Sequence, residues 1–354
     1  MTGNPLRKLV MADFDYELPE DLIAQEPLNN RSGSRLLVLE RESGDISHRA
    51  FEDLPGLLRP GDLLVMNDSR VIPARLAGRR DTGGDVEFLL LRELAAHHWE
   101  CLMRPARRLR IGEVVAVAGK DHGSSAPATA TVIEKRGDGQ GIVRLDAHLW
   151  NHLESYGRVP LPPYIHVQLD DDERYQTVYA RDPGSAAAPT AGLHFTEAVL
   201  ERLRERGVEC VQVTLHVGLD TFRPVVSEYA EDHVIHSEWC SVPEETALAL
   251  ASARKRQARI VAVGTTTART LETYGAWVGG RFGAAYSGLT RMYITPGHHW
   301  TVVDAMVTNF HLPKSSLLLM MSSFAGKSAL FEAYRQAIER RYRFFSFGDA
   351  MFIE

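Results

Sequence analysis

Val302-Val303-Asp304-Ala305-Met306-Val307-Thr308-Asn309-Phe310-His311-Leu312-Pro313-Lys314-Ser315-Ser316 passes from an apolar run to a packed set of polar groups within a few residues. The run reads as a buried strand. The amide, imidazole, ammonium and two hydroxyls that follow stand where a helix begins, with Pro313 at its first turn: its fixed φ suits that position and its missing N–H costs nothing there. Open α/β sheets place ligand groups between a strand end and a helix N-terminus, because free backbone N–H groups face the crevice.

The same pattern occurs twice upstream. Val208–Leu215 reads as a strand ending in His216-Val217-Gly218. Arg259–Val263 ends in Gly264-Thr265-Thr266-Thr267, leading into a helix at Ala268–Trp277. One site at the carboxyl edge of a sheet accounts for all three ends. The glycine-hydroxyl turn suits a carboxylate or phosphate held by backbone N–H groups and the helix dipole. No Lys follows that Gly and no GxGxxG occurs, which excludes a Walker loop and a dinucleotide fingerprint.

The remaining α/β elements are legible by caps and periodicity. Arg35–Leu39 and Asp45–Arg49 flank Ser43-Gly44 as a hairpin. Asp62–Met66 is an apolar strand closed by Asn67-Asp68-Ser69-Arg70. Thr196 caps a helix that Gly207 closes, Ser241-Val242-Pro243-Glu244 has capping-box spacing for a helix through Gln257, and Ser328–Tyr342 is the last long helix. From Val71 to Leu145 the texture changes to six short strand-like runs between Gly- and charge-rich turns, as in a small antiparallel barrel. The expected fold class is therefore an α/β main domain, residues 1–70 plus 150–354, with an inserted small antiparallel β-barrel domain, residues 71–149. A chain of 354 residues suits two cores.

Composition narrows the function. The apolar share of 44% and charged share of 24% are those of an ordinary globular protein. No apolar stretch reaches the roughly 18 residues of a membrane span, and the N-terminus lacks a signal-peptide core. Cys101, Cys210 and Cys240 form neither a disulfide framework nor a metal or cluster spacing. A cytoplasmic protein without a metal is expected. The net charge of −6 speaks against general nucleic-acid affinity but leaves room for a local basic patch. Arg104, Arg107, Arg108 and Arg110 form the densest one, inside the barrel region.

Two further constellations carry chemistry. Pro189–Phe195 is a small-residue loop before a helix, with Thr190 and Gly192 open to a ligand's approach, or Gly192 in a tight positive-φ turn, and His194 pointing in. His233, His236 and Glu238 have a spacing that a metal-dependent hydrolase could use.

Nine motifs in order give the chain a resemblance to the S-adenosylmethionine:tRNA ribosyltransferase-isomerases of queuosine biosynthesis. They are NDSRVIPARL (67–76), PLPPYI (160–165), APTAGLHF (188–195), TLHVG (214–218), TFRPV (221–225), HSE (236–238), AVGTT (262–266), VDAMVTNFHLPKS (303–315) and YRFFSFGDAMF (342–352). Asp220 stands where the family has a small residue, and His298-His299 where an aromatic is usual; both touch local contacts. The resemblance implies transfer and isomerisation of the ribosyl moiety of S-adenosylmethionine onto 7-aminomethyl-7-deazaguanine at the tRNA wobble position. Epoxyqueuosine forms, adenine and methionine leave, and S-adenosylmethionine is a co-substrate with no cofactor or metal besides. The same resemblance implies an α/β domain carrying an inserted barrel.

That reaction needs a base near the acidified 5′ carbon beside the sulfonium. His311 is the first candidate, with His216 and His194 as alternatives. Asp68 or Glu238 would assist adenine's departure. Gly264, Thr265, Thr266 or Arg269 would hold the methionine carboxylate; Arg70, Lys314 and Arg343 would meet tRNA phosphates or sugar hydroxyls. Asn67, Thr190, Gly192 and Asn309 complete the substrate-binding set, and the barrel arginines would bind tRNA. A non-catalytic tRNA-binding protein and a metal-dependent hydrolase are the other readings.

Overall fold

The structure is a computed structural model, and it describes residues 8–120, 128–218, 224–235 and 237–354. Strands β1 (Arg35–Leu39) and β2 (Ile46–Ala50) form the hairpin at one edge of a nine-stranded sheet, and β3 (Leu63–Asn67) lies near its centre. Ser69–Val71 is a short strand, β4. The chain then enters a second sheet through β5 (Arg75–Arg79), β6 (Asp85–Ala95), β7 (His98–Arg104), β8 (Val114–Val117), β9 (Ala128–Lys135) and β10 (Gln140–Leu145). These pair in the order β5-β6-β7-β10-β9-β8, and β8 closes on β5, so six antiparallel strands make a barrel. β11 (Gly157–Arg158) is added outside β5.

The expected run Val71–Leu76 is not one strand. Pro73 has no N–H to donate to a ladder, and the chain divides there. β4 pairs in parallel with β12 (Asp182–Ser185), while β5 belongs to the barrel. The barrel core is closed by Trp99, Cys101, Leu145 and Leu149, each at most 2% exposed, together with Tyr156 from beyond the last barrel strand.

The chain returns to the large sheet with β13 (Glu209–Leu215), β14 (Glu238–Val242), β15 (Ile260–Val263), β16 (Tyr286–Thr290), β17 (Ala305–Asn309) and β18 (Ala350–Ile353). The sheet order is β16-β14-β13-β3-β15-β17-β18-β1-β2. The four central strands β13, β3, β15 and β17 are mutually parallel, so their carboxyl ends fall on one edge. Period-2 alternation gives that sheet two apolar faces. Leu63, Val65, Ile260 and Ala262 pack under the helices Glu244–Lys255, Thr265–Val278, Ser316–Ala325 and Lys327–Glu339. Leu64, Met66, Val261 and Val263 pack against the helix Glu197–Glu205. A parallel sheet buried on both faces is the setting that near-continuous apolar strands require.

Caps decide where the helices begin. Thr196 accepts from Val199 N at 3.3 Å, a bond of the kind worth about 1 kcal/mol, and Gly207 follows the helix at φ +79°. Pro313 does not open its helix. Ser315 is the cap, its Oγ accepting from Leu318 N at 3.1 Å, and Lys314 at φ +53° lies outside helical space. The capping box at Ser241 does not form either: Ser241 and Val242 are in β14, paired on both sides with β13 and β16, and that ladder outweighs a local cap. The helix after Gly264 starts at Thr265 itself, because the glycine's φ of +86° turns the chain in a single residue.

Candidate functional site

The parallel block sets the geometry. His216 follows β13, Asn67 ends β3, Gly264 follows β15, and Asn309 ends β17, all along one edge of the sheet. Two neighbouring cavities open there. The smaller, about 50 Å³, lies between the Pro189–Ala191 turn, the Gly264–Thr266 turn and the Asn309–Leu312 segment. The larger, about 740 Å³, lies between the sheet edge and the barrel. Thr265, Thr266 and Leu317 line both. The larger volume is that of a small-molecule site.

The large cleft has walls of different character. The barrel contributes Trp99 and Trp150, with ring centroids 5.3 Å apart, beside Glu93, Glu100 and Gln140. The sheet contributes His216, stacked on Trp239 at 5.2 Å and 20°, and Tyr293. At its floor Arg269 Nη1 and Glu238 Oε2 pair at 2.5 Å, both side chains at most 10% exposed. Glu238 Oε1 also accepts from Gly218 N at 2.7 Å, which fixes the loop after β13. Aromatic faces, one buried ion pair and a helix N-terminus can together hold a flat base and a zwitterionic amino acid.

The three histidines stand in different environments. His216 Nδ1 is buried with no hydrogen-bond partner, and burial lowers the ring's pKa against the partly opposing charges of Asp182 and Asp68. His311 lines the small cavity. Its Nε2 lies 2.8 Å from Thr308 Oγ1, and burial lowers its pKa to about 3. His194 has both ring nitrogens engaged, with Ser34 Oγ at 2.8 Å and Asn309 Nδ2 at 3.1 Å. Burial first, then the charges of Arg343 and Arg31, bring it also to about 3.

The family of queuosine biosynthesis proteins matches residues 11–353, essentially the whole chain. The chain belongs to this family. It is also similar to the S-adenosylmethionine tRNA ribosyltransferase of Thermotoga maritima, at 39% sequence identity over 97% of this chain and 100% of that one, with a TM-score of 0.56. This is the family to which the ordered motifs point.

Within this queuosine biosynthesis protein the other candidate residues separate into groups. Thr190, Gly264, Thr265, Thr266, Asn309 and His311 meet at the small cavity, and His216, Glu238 and Arg269 at the large one. Asn67 lines neither. It is fully buried, donating to Leu215 O and Thr266 Oγ1 and accepting from Ser69 N and Leu215 N, so it ties β3 to its neighbours. Asp68 is also away from both cavities, its carboxylate held by Thr214 Oγ1 at 2.7 Å and Arg181 Nη2 at 2.9 Å. Gly192 is not at positive φ and lines neither cavity; a Cβ there would lie 2.1 Å from Tyr179 Oη, so close packing demands the glycine. Arg70 pairs with Glu173, and Lys314 Nζ with Asp15 at 2.7 Å, both outside the cavities. Arg343 Nη2 donates to Glu26 O.

Arg104, Arg107, Arg108 and Arg110 are exposed on the barrel, and none has an ion-pair partner among the described residues. Of the metal constellation, His236 lies outside the described residues, as do Asp220 and Thr221–Arg223. His233 packs on Tyr293 and Glu238 pairs with Arg269. Among the described residues no three His, Cys, Asp or Glu groups are placed to hold a metal ion. No helix of the described residues is long and apolar enough to cross a membrane.

The barrel's aromatic wall, Trp239 and Tyr293 were missed from sequence. Trp99 lies in β7 and Trp150 in the short helix Ala147–Asn151, settings in which a tryptophan ordinarily signals core. Only barrel closure shows that they also face the cleft.

Proposed function

We propose that the chain is an S-adenosylmethionine:tRNA ribosyltransferase-isomerase. It would transfer the ribosyl moiety of S-adenosylmethionine to the aminomethyl nitrogen of 7-aminomethyl-7-deazaguanine at the tRNA wobble position and rearrange it to epoxyqueuosine, releasing adenine and methionine. The observation that carries this reading is the cleft of about 740 Å³ on the carboxyl edge of the parallel strands, in a chain 39% identical to a protein named an S-adenosylmethionine tRNA ribosyltransferase. The reading places the enzyme in the cytoplasm with its tRNA, and S-adenosylmethionine is a co-substrate, with no resident cofactor or metal.

His216 is the general base in this reading, in place of His311. It lines the large cleft with its Nε2 edge beside Gly184, and Nε2, not the enclosed Nδ1, is the nitrogen that would accept a proton from the 5′ carbon beside the sulfonium. The amine nitrogen displaces adenine at the 1′ carbon, adenine taking the amine's proton, and the ring C–O bond at that carbon then opens to an iminium. The electron pair on the 5′ carbon closes a bond to the 1′ carbon. The oxygen freed on the 4′ carbon attacks the 5′ carbon as its C–S bond breaks, giving the epoxide and methionine as a neutral thioether. The N-terminus of the helix Thr265–Val278 and the Arg269 guanidinium attract the methionine carboxylate, and Glu238 holds that guanidinium in place. Trp239 and Trp150, both partly exposed in the cleft wall, offer faces for the two purine-like rings. Arg104, Arg107, Arg108 and Arg110 bind tRNA phosphates.

The purified protein, given S-adenosylmethionine and tRNA carrying the aminomethyl base, is expected to release adenine and methionine in equal amounts without added metal. Formation of S-adenosylhomocysteine instead would show methyl transfer and end this reading.

A further inference from the structure

A third pocket, of about 20 Å³, opens on the other side of His194 from the small cavity. Arg31, Arg174, Ser34 and His194 line it, with the backbone turn Ser346–Gly348 as floor. Arg343 lies close enough to depress protonation of His194. Arg31 and Arg174 are neighbours in the pocket wall, and neither they nor Arg343 behind it has an ion-pair partner within 4.0 Å among the described residues; the carboxylates of Asp171 and Glu173 near Arg31, and of Asp349 and Glu26 near Arg343, stand farther off. The arginines' bonds go to backbone carbonyls: Arg31 to Gln176, Leu193 and Glu173, Arg174 to Leu28 and Asn29, Arg343 to Glu26. Two donors are left over, since Arg174 Nε and Arg343 Nη1 are buried without a partner. A buried N–H on a cation that lacks an acceptor is costly, and guanidinium forks match oxyanions of tetrahedral or planar shape.

We propose that this arginine pocket is a phosphate-binding site, separate from the cleft. An anion there would accept from the orphaned Arg174 Nε and face the Arg31 guanidinium beside it. The volume admits phosphate oxygens at the mouth rather than a whole nucleotide. Either a backbone phosphate of a polynucleotide or a free phosphate monoester supplies that chemistry. The site is wired to the small cavity by one chain of hydrogen bonds. Thr190 Oγ1 donates to Asn309 Oδ1, Asn309 Nδ2 to His194 Nε2, His194 Nδ1 to Ser34 Oγ, and Ser34 Oγ to Arg31 O.

The test uses inorganic phosphate as the first probe, with chloride at matched ionic strength as control. Wild-type melting temperature should rise with phosphate in a saturable way, and Arg174→Ala should weaken that response at least tenfold. Arg174→Lys, which keeps the charge and loses Nε, serves if the alanine variant does not fold. The second arm, which rests on the proposed function, measures tRNA affinity against salt. A slope reduced by about 0.7–0.9 in the variant supports a tRNA phosphate as occupant; an unchanged slope with lost phosphate binding supports a free phosphate ligand. Absence of a saturable phosphate effect on the wild type, or an equal effect in the variant that folds, overturns the proposal and leaves the arginines as staples of the 26–31 loop. The phosphate arm stands whatever the reaction is, and adenine release by the wild type judges the reaction separately.

Discussion

Asn309 Nδ2 donates to His194 Nε2 at 3.1 Å. Because the amide nitrogen can only donate, Nε2 is the acceptor and Nδ1 carries the proton, which goes to Ser34 Oγ at 2.8 Å. His194 is thus held as one neutral tautomer and fixes the amide that receives Thr190. It positions the small cavity's wall and has no nitrogen left to act as a base. His311, at the next position but one after β17, is neutral for the same reason of burial.

Acid stability follows from these two rings. Each has a folded pKa of about 3 against 6.5 in the unfolded chain, so on acidification the unfolded state takes up protons first. Stability is complete above about pH 6.5 and is lost as pH falls toward about 3. The slope is roughly 1.4 kcal/mol per pH unit for each histidine. Urea midpoints between pH 7 and 5 should fall accordingly, and His194→Gln should remove about half of the slope. An unchanged midpoint over that range would contradict the burial of both rings.

For catalysis, His216→Gln should lower kcat by about 10²–10⁴ with little change in melting temperature. The ring's lowered pKa means that the base form predominates at neutral pH. The rate should therefore hold steady down to about pH 6.5 and fall only below it. A His311→Gln variant should lose less turnover than this. Near-normal kcat in the His216 variant would exclude it from proton transfer.

The Arg269–Glu238 pair is buried, so removing one partner deprives the other charge of its ion pair in a desolvated place. Glu238→Ala should cost about 3–5 kcal/mol of stability, and the double variant Glu238→Leu/Arg269→Met much less than the sum of the single changes. Denaturant titration of the four proteins gives the coupling. Additive losses would mean that the pair does not act as a unit.

On the barrel, alanine at Arg104, Arg107, Arg108 and Arg110 together should reduce the slope of log tRNA affinity against log salt by about 3–4, at roughly 0.9 per phosphate. Adenine release at saturating tRNA should persist. An equal slope in wild type and variant would leave these side chains as a solvated surface.

Much of this was legible in the sequence for a physical reason. Apolar runs with polar ends, such as Ile260–Val263 before Gly264, carry both strand and site in local order, and the barrel showed in its short alternating runs. What stayed hidden depends on tertiary placement. Ser241 has a cap's spacing but lies in a ladder that only β16 completes. Asp68 and Asn67 have ligand-grade side chains that the neighbouring strand β13 takes up. Gly192 is required by the ring of Tyr179, thirteen residues away in sequence. Arg174 and Arg31 had no motif to announce them, because they converge from two short helical turns far apart in sequence.

The central claim is ribosyl transfer to one modified base, and a double-label experiment tests it most directly. Ribose-labelled and methyl-labelled S-adenosylmethionine are supplied with tRNA bearing either 7-aminomethyl-7-deazaguanine or guanine at the wobble position. The account predicts one ribose label entering tRNA per adenine released, only with the aminomethyl base, and no methyl label in tRNA. Methyl label in tRNA, or ribose label transferred equally to the guanine-bearing tRNA, would contradict it.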